Sequence, residues 1–263
     1  MIKSIKIYLT FLRKIIKSKF MYFNDFILSF VMSVISNLYT LIFIEIIFNN
    51  ITVLGGWSLY EVLIMYGINS ICRGIFCTLF GELDLLSDVY ILDGKLDNLL
   101  LRPKSPIYLI ITSNIYEENI SDVFLGIIYL ICSFRNIEGL LCVKNILILF
   151  ISILVGTIMY FAFFLLVSSS GFWFNTRFSL MWSFMDVTEY SNYPLNIFPK
   201  LIRNILTWIV PFGLISFYPS IIIFDKMQEL QWVGYLIPFM TIFFLVLALG
   251  IWRKGLEQYE SIN

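Results

Sequence analysis

The charged side chains that could carry chemistry are few and stand beside long apolar runs. Glu118 and Asp122 are four residues apart and so share one helix face, and Glu117 precedes them. Such a face is negatively charged and so attracts cations. Charges inside apolar segments are costly and are usually kept for function. Arg73 lies deeper in an apolar run, where it pairs with an acid or binds a lipid phosphate. We expect Glu117, Glu118, Asp122 and Arg73 to border a path for a cationic substrate, unless the helix begins nearer Ile120 and leaves the acids at the cytosolic interface.

Enzymatic chemistry has little to work with in this chain. There is no histidine among the 263 residues, which removes the usual general base and the commonest metal ligand. A membrane enzyme would have to rely on a carboxylate pair such as Glu118 and Asp122. Gly94–Lys95 is the one Gly-Lys pair, and position 89 holds Val instead of the first glycine of a G-x-x-x-x-G-K-[ST] loop. We expect no catalytic, cofactor-binding or metal-binding residue, and no ATP bound in the P-loop manner.

The composition requires elements that lie in a membrane. Hydrophobic residues make up 59% of the chain and charged residues 14%, and the mean hydropathy is +0.87. A soluble domain of this length could not bury so much apolar surface, and apolar runs of about 20 residues are typical of membrane-spanning helices. The 18 basic and 18 acidic residues balance, so no nucleic-acid partner is indicated. The fold class is an all-α integral membrane protein, with one transmembrane domain over 1–263 surrounded by membrane lipids.

The apolar runs and the basic residues together predict six crossings. Five spans cover roughly 26–48, 59–81, 107–134, 145–174 and 232–252. Residues 1–24 form an amphipathic interfacial helix whose cationic face carries Lys3, Lys6, Arg13, Lys14 and Lys17. No acid precedes Asp25, and Arg253 and Lys254 follow the last span, so the positive-inside rule places both termini in the cytoplasm. Two ends on one side require an even number of crossings.

The remaining crossing has two candidate positions. Hydropathy alone selects 205–224, whereas a shorter and more polar crossing at 178–193 leaves 194–224 as outer re-entrant half-helices. Prolines remove backbone donors that lipid cannot replace, so broken helices at membrane depth need protein or water around them. In the first arrangement Asp186 and Glu189 are cytosolic, and in the second they line the pore. The prolines of this region are Pro194, Pro199, Pro211 and Pro219.

A short amphipathic segment, GKLDNLLLRPKSP, occupies 94–106 between the second and third spans. Leu96, Leu99 and Leu100 share one helix face, and Pro103 and Pro106 end the helix. A rigid helix at the cytosolic surface can anchor one face in the membrane domain and present the other to a soluble partner. The alternative is an interfacial connector that has no partner.

This segment resembles the G-x-L-[DE]-x-L-L-L-R-P-x-S-P signature of type-2 permeases of ATP-binding-cassette (ABC) exporters, especially the bacterial branch whose permeases often occur as non-identical pairs. Residues 193–199 (YPLNIFP), with Val210-Pro-Phe and Tyr218-Pro after them, resemble the outer proline region of that branch. Residues 255–261 (GLEQYES) resemble its G-[LI]-x-x-Y-x-S tail. The likeness extends over nearly the whole chain. It departs at Lys104, where a small apolar residue is common, and at the Ile262–Asn263 end.

The resemblance implies a permease subunit of a bacterial inner-membrane exporter. It would work with two separate ATPase subunits, which hold ATP and Mg, and with a second permease that is either identical or homologous. The cytosolic region 82–106 would contain the coupling helix, with ATPase-coupling residues Gly94, Leu96, Asp97, Leu99, Leu100, Arg102 and Pro103. The resemblance also favours 178–193 as the fifth crossing. The expected substrate is a hydrophobic or amphipathic drug, lipid or peptide; the alternative is a membrane scaffold or an immunity protein that needs no ATPase.

Overall fold

The computed structural model describes residues 23–174 and 180–259, which are helical apart from loops and an isolated bridge between Leu54 and Trp57. The α-helices in these residues are α1 (Phe23–Asn50), α2 (Leu59–Phe80), α3 (Lys95–Leu100), α4 (Pro106–Ile111), α5 (Ile120–Asn136), α6 (Val143–Ser169), α7 (Leu180–Thr188), α8 (Lys200–Asn204), α9 (Gly213–Ile223) and α10 (Gln231–Gln258). Short 3-10 or π-helical turns adjoin them at Gly81–Leu85, Leu86–Leu92, Glu117–Asn119, Ser170–Phe172, Glu189–Asn192, Leu195–Ile197, Ile205–Ile209 and Gln228–Leu230. The interfacial helix expected at 1–24 lies almost wholly outside the described residues.

Four helical stretches in the described residues are long and apolar enough to cross a membrane: Val31–Asn50, Leu59–Leu92, Val143–Phe172 and Gln228–Gln258. They agree with four of the spans expected from hydropathy and confirm an all-helical membrane protein. Each has at least the roughly 20 residues that are needed to cross the hydrocarbon core. The six-crossing layout remains a prediction, because the other helical segments are shorter or broken.

The crossing expected over 107–134 is not one continuous helix in the structure. The chain forms α4, leaves helical geometry, and begins α5 only at Ile120, as the alternative starting point had it. The cause is a contact with the end of α2. The Tyr116 amide donates to the Thr78 carbonyl at 3.1 Å, and the Tyr116 ring lies where a side chain at Gly81 would stand, 2.8 Å from an added Cβ. This contact folds the chain back before α5.

Helix α2 is the centre of the bundle and packs on α5, α6 and α9. In the most apolar 18-residue stretch of its span 78% of the residues are buried, against 7% in that of α1. Small residues let these helices approach closely, as membrane helices commonly do. A Cβ on Gly67 would stand 2.8 Å from Leu130, and one on Gly126 would stand 2.6 Å from Ile71. The approach of α2 and α5 therefore depends on both glycines.

The proline region contains a sharp bend. Lys200–Ile209 and Gly213–Ile223 meet at 105°, and Pro211 lies in the break between them. Pro219 lies inside α9, which is buried along its whole length. Upstream, α7 has 9 residues and is followed by a 3-10 turn of 4 residues. This helical stretch is shorter than a standard crossing, so whether 178–193 or 205–224 is the fifth crossing remains a prediction.

Candidate functional site

A cavity of about 670 Å³ opens between α1, α2, α5 and α7. Its wall has an apolar part, made by Cys77 together with Met181, Trp182 and Met185 of α7. The rest of the wall is polar and contains hydroxyl, amide and carboxylate groups. A cavity of this size and mixed lining suits an organic molecule that has both an apolar body and a polar group.

The charged groups of this cavity are mostly acidic. The carboxylates are those of Asp84, Glu118, Asp122, Asp186 and Glu189, and Arg73 is the one cation among the described residues that line the cavity. The Arg73 guanidinium binds Asp122, with Nη2 and Nε at 3.1 and 3.2 Å from Oδ2. Of the alternatives drawn from the sequence, Arg73 therefore pairs with an acid.

The structure brings together three of the four expected path residues, Arg73, Glu118 and Asp122, while Glu117 is not part of the cavity wall. Asp186 and Glu189 join them, although their placement was open in the sequence. Asp84 was not foreseen. It belongs to a segment expected in the cytosol, and its proximity to α5 depends on the fold of 112–119, which hydropathy does not show.

A smaller chamber of about 50 Å³ adjoins the first and shares Thr40, Arg73 and Glu189 with it. Its other walls are Ser70, Asn192 and three tyrosines: Tyr66, Tyr129 and Tyr193. No spacing in the sequence indicates that these three rings meet.

The segment expected to couple to an ATPase forms the short helix α3. Gly94 precedes it with a φ of 74°, a left-handed conformation that glycine adopts without steric cost. Leu96 is fully buried and Leu99 packs on the core, whereas Leu100 is 46% exposed and Leu101 is 86% exposed. Arg102 and Pro103 are exposed as well. The helix therefore has an anchored base and an apolar tip that the rest of the described chain does not cover.

A buried carboxylate connects this segment to the spans. Glu82, 7% exposed, accepts hydrogen bonds from the Tyr90 hydroxyl at 2.8 Å and the Tyr116 hydroxyl at 2.9 Å. Burial, followed by the nearby Glu82 charge, raises the pKa of Tyr116 to about 12, so this phenol is a donor at neutral pH. The three side chains join the end of α2, the turn before α3 and the turn before α5. Sequence reasoning missed Glu82, because its partners are distant in sequence.

The C-terminal end of α10 lies near the segment 94–106. A Cβ on Gly255 would stand 2.1 Å from the Phe172 ring, and that ring contacts Tyr259 edge to face with centroids 6.0 Å apart. Burial, followed by the nearby Asp97 carboxylate, raises the pKa of Tyr259 to about 12. Two stretches noted in the sequence, 94–106 and 255–261, thus meet at Asp97 and Tyr259.

The opposite end of the bundle is joined by an ion pair. Lys226 binds Glu61 at 2.6 Å and lies 4.7 Å from the centre of the Trp57 ring. Trp57 in turn donates to Asn196 at 3.2 Å, in the turn after Pro194. Of the four prolines noted in the sequence, three are buried and Pro199 is exposed.

These features define a multi-pass helical membrane protein with a polar cavity among its spans and a projecting apolar tip on a short helix. The chain matches the family model described as ABC-2 family transporter protein over residues 34–262, and it belongs to that family. The match confirms the resemblance to type-2 permeases and makes the chain a membrane transport component. Searches of curated proteins and of solved structures returned no significant match.

Proposed function

We propose that this chain is the membrane-spanning subunit of an ATP-driven exporter in the bacterial plasma membrane. Two separate ATPase subunits bind ATP and Mg, and a second permease, identical or homologous, completes the membrane part. Both termini lie in the cytoplasm, and the substrate is a hydrophobic or amphipathic drug, lipid or peptide. The family supports a transport role, and the mixed lining of the cavity supports this class of substrate.

The observation that carries the ATPase coupling is the anchored helix α3 with its exposed tip. Leu101 is 86% exposed, and an apolar side chain gains little free energy from contact with water. An apolar tip with Arg102 beside it suits the groove of a soluble partner. The base of the helix is held by Leu96 and, through the preceding turn, by the Glu82 hydrogen bonds. A displacement of the tip would therefore be transmitted to the end of α2 and to the turn before α5.

Within this proposal, 178–193 is the fifth crossing and 194–224 is a re-entrant pair of half-helices. The 105° bend and the nearly complete burial of α9 support it, because broken backbone at membrane depth needs protein around it. Helix α7 is short for a full crossing, and the re-entrant pair, which enters from the outer side, would occupy the remaining depth of the membrane. A cysteine-accessibility scan of 186–224 in intact cells tests this layout: labelling of both ends of 194–224 from the outside alone supports the re-entrant pair.

The central experiment replaces the tip leucine. We expect Leu101→Asp to abolish co-purification of the ATPase subunit and ATP-driven transport, while the chain still inserts in the membrane. Leu141→Asp is the matched control, because Leu141 is 69% exposed in the loop before α6 at the other end of the bundle. Leu100→Asp should act in the same direction as Leu101→Asp.

Full ATP-driven transport by the Leu101→Asp variant would contradict the coupling role of α3. A wild-type chain that purifies without any ATPase would contradict the exporter function itself and would favour the scaffold or immunity alternative.

A further inference from the structure

The smaller chamber is built as a cage of aromatic rings. The Tyr66 ring meets Tyr129 and Tyr193 nearly at right angles, with centroids 6.4 and 5.7 Å away. Tyrosine faces carry negative potential and attract cations when water is largely excluded. Several rings around one small space are the arrangement by which proteins recognise ammonium groups.

Two groups of the chamber provide hydrogen-bonding capacity for such a ligand. The Tyr66 hydroxyl oxygen is buried and makes no hydrogen bond with the described part of the chain. Tyr66 as a whole is 2% exposed. An unsatisfied buried hydroxyl is costly, and a small displacement of the Tyr66 side chain would let a donor in the chamber satisfy it. The second group is the Glu189 carboxylate, which lies at the junction of the two cavities.

The positive charge of Arg73 does not make this an anion site. Its guanidinium is bound to Asp122 by two nitrogens, so the pair is close to neutral as seen from the chamber. Glu189 then leaves the chamber with an excess of negative charge. The larger cavity has the same sign as far as the described residues go, because those that line it carry five carboxylates and one guanidinium.

We propose that the chamber binds the primary ammonium group of an amphipathic substrate, whose apolar body lies in the larger cavity against Trp182 and Met185. The chamber volume of about 50 Å³ suits a small charged group, since a cavity of about 10–15 Å³ measured in the same way holds one water. The ammonium donates to Tyr66 and Glu189 and contacts the tyrosine faces. This inference rests on the proposed transport function and narrows its substrate class.

The test is a binding measurement on the full chain, without ATPase, in nanodiscs of phosphatidylcholine. Isothermal titration compares three probes with one apolar chain: octylammonium, octan-1-ol and octanoate. We expect octylammonium to bind at least about tenfold more tightly than octanol, and octanoate to bind most weakly. Empty nanodiscs supply the value for partition into lipid, which is subtracted.

Two variants locate the binding. Glu189→Gln and Tyr66→Phe should each weaken octylammonium binding about tenfold and leave octanol binding unchanged. The matched controls are Glu138→Gln, in an exposed loop, and Tyr235→Phe, which is 63% exposed on α10; both should bind octylammonium as the wild type does. If one cavity variant fails to fold, the other still provides the test.

Equal binding of octylammonium and octanol would overturn the proposal, and so would an unchanged ammonium preference in both cavity variants. Adding phosphatidylethanolamine to the nanodiscs identifies the source of the ammonium group: weaker octylammonium binding indicates a lipid headgroup, and unchanged binding indicates a non-lipid amphiphile. Because the assay contains no ATPase, its failure is separate from failure of the coupling experiment on Leu101.

Discussion

Replacement of Glu82 by alanine tests how the coupling segment is held to the spans. The change removes the acceptor of the hydrogen bonds from Tyr90 and Tyr116 at 2.8 and 2.9 Å. Hydrogen bonds to charged groups contribute about 1.5–3 kcal/mol each, so the two together give a loss of about 3–6 kcal/mol in the free energy of unfolding. Glu82→Gln should cost less, about 1–2 kcal/mol, because the amide keeps one oxygen acceptor.

The assay is reversible unfolding of the full chain in mixed micelles of dodecyl maltoside and sodium dodecyl sulfate. Glu138→Ala serves as the control and should leave the free energy of unfolding unchanged, because Glu138 is an exposed loop acid. Tyr90→Phe and Tyr116→Phe should each cost about 1.5–3 kcal/mol, and the double variant should cost more than their sum. The excess arises because Glu82 is then buried without either phenol.

A loss below about 1 kcal/mol for Glu82→Ala would refute this reasoning. That result would mean that water or a local rearrangement replaces both phenols, and that Glu82 does not hold the coupling segment. Additive effects of Tyr90→Phe and Tyr116→Phe would likewise show that the two hydrogen bonds are independent of a shared buried charge.

Two further predictions concern the ends of the bundle. Gly255→Ala places a methyl group 2.1 Å from the Phe172 ring, whereas the methyl group of Gly250→Ala on the same helix meets nothing within 4 Å. We expect Gly255→Ala to lower both the unfolding midpoint and the ratio of transport to ATP hydrolysis. Gly250→Ala, the control, should lower neither. Lys226→Met removes both the ion pair and the cation–π contact at the opposite end, so it should cost about 1–2 kcal/mol in the same micelles. Lys200→Met, at an exposed lysine, is its control, and equal losses in the two lysine variants would show that the contacts of Lys226 are not stabilising.

The sequence predicts best where a single segment determines its own structure. The spans at α2, α6 and α10 follow from long apolar runs, and α3 follows from leucines at helical spacing before a proline. These features are local, so no partner is needed to recognise them.

The remainder depends on contacts between distant segments. The break before Ile120 arises from the contact of Tyr116 with the end of α2, and the buried Glu82 depends on the same fold-back. The tyrosine cage joins residues of α2, α5 and the turn after α7. No hydropathy window covers all the residues that make these contacts, so the tyrosine cage and the buried position of Glu82 could not be predicted from the sequence.

The loose packing of α1 bears on the phase from which the proposed substrate would reach the cavity. Helix α1 forms one wall through Ser33 and Thr40, yet it packs mainly on α5 and the turn before it, and 7% of the most apolar 18-residue stretch of its span is buried. Trp182, on the facing wall, is 65% exposed. We expect an apolar substrate to enter between them from lipid, so that its occupancy follows its mole fraction in the bilayer. Half-saturation expressed as the total concentration added should then rise with the amount of lipid in the assay, while half-saturation per lipid stays constant.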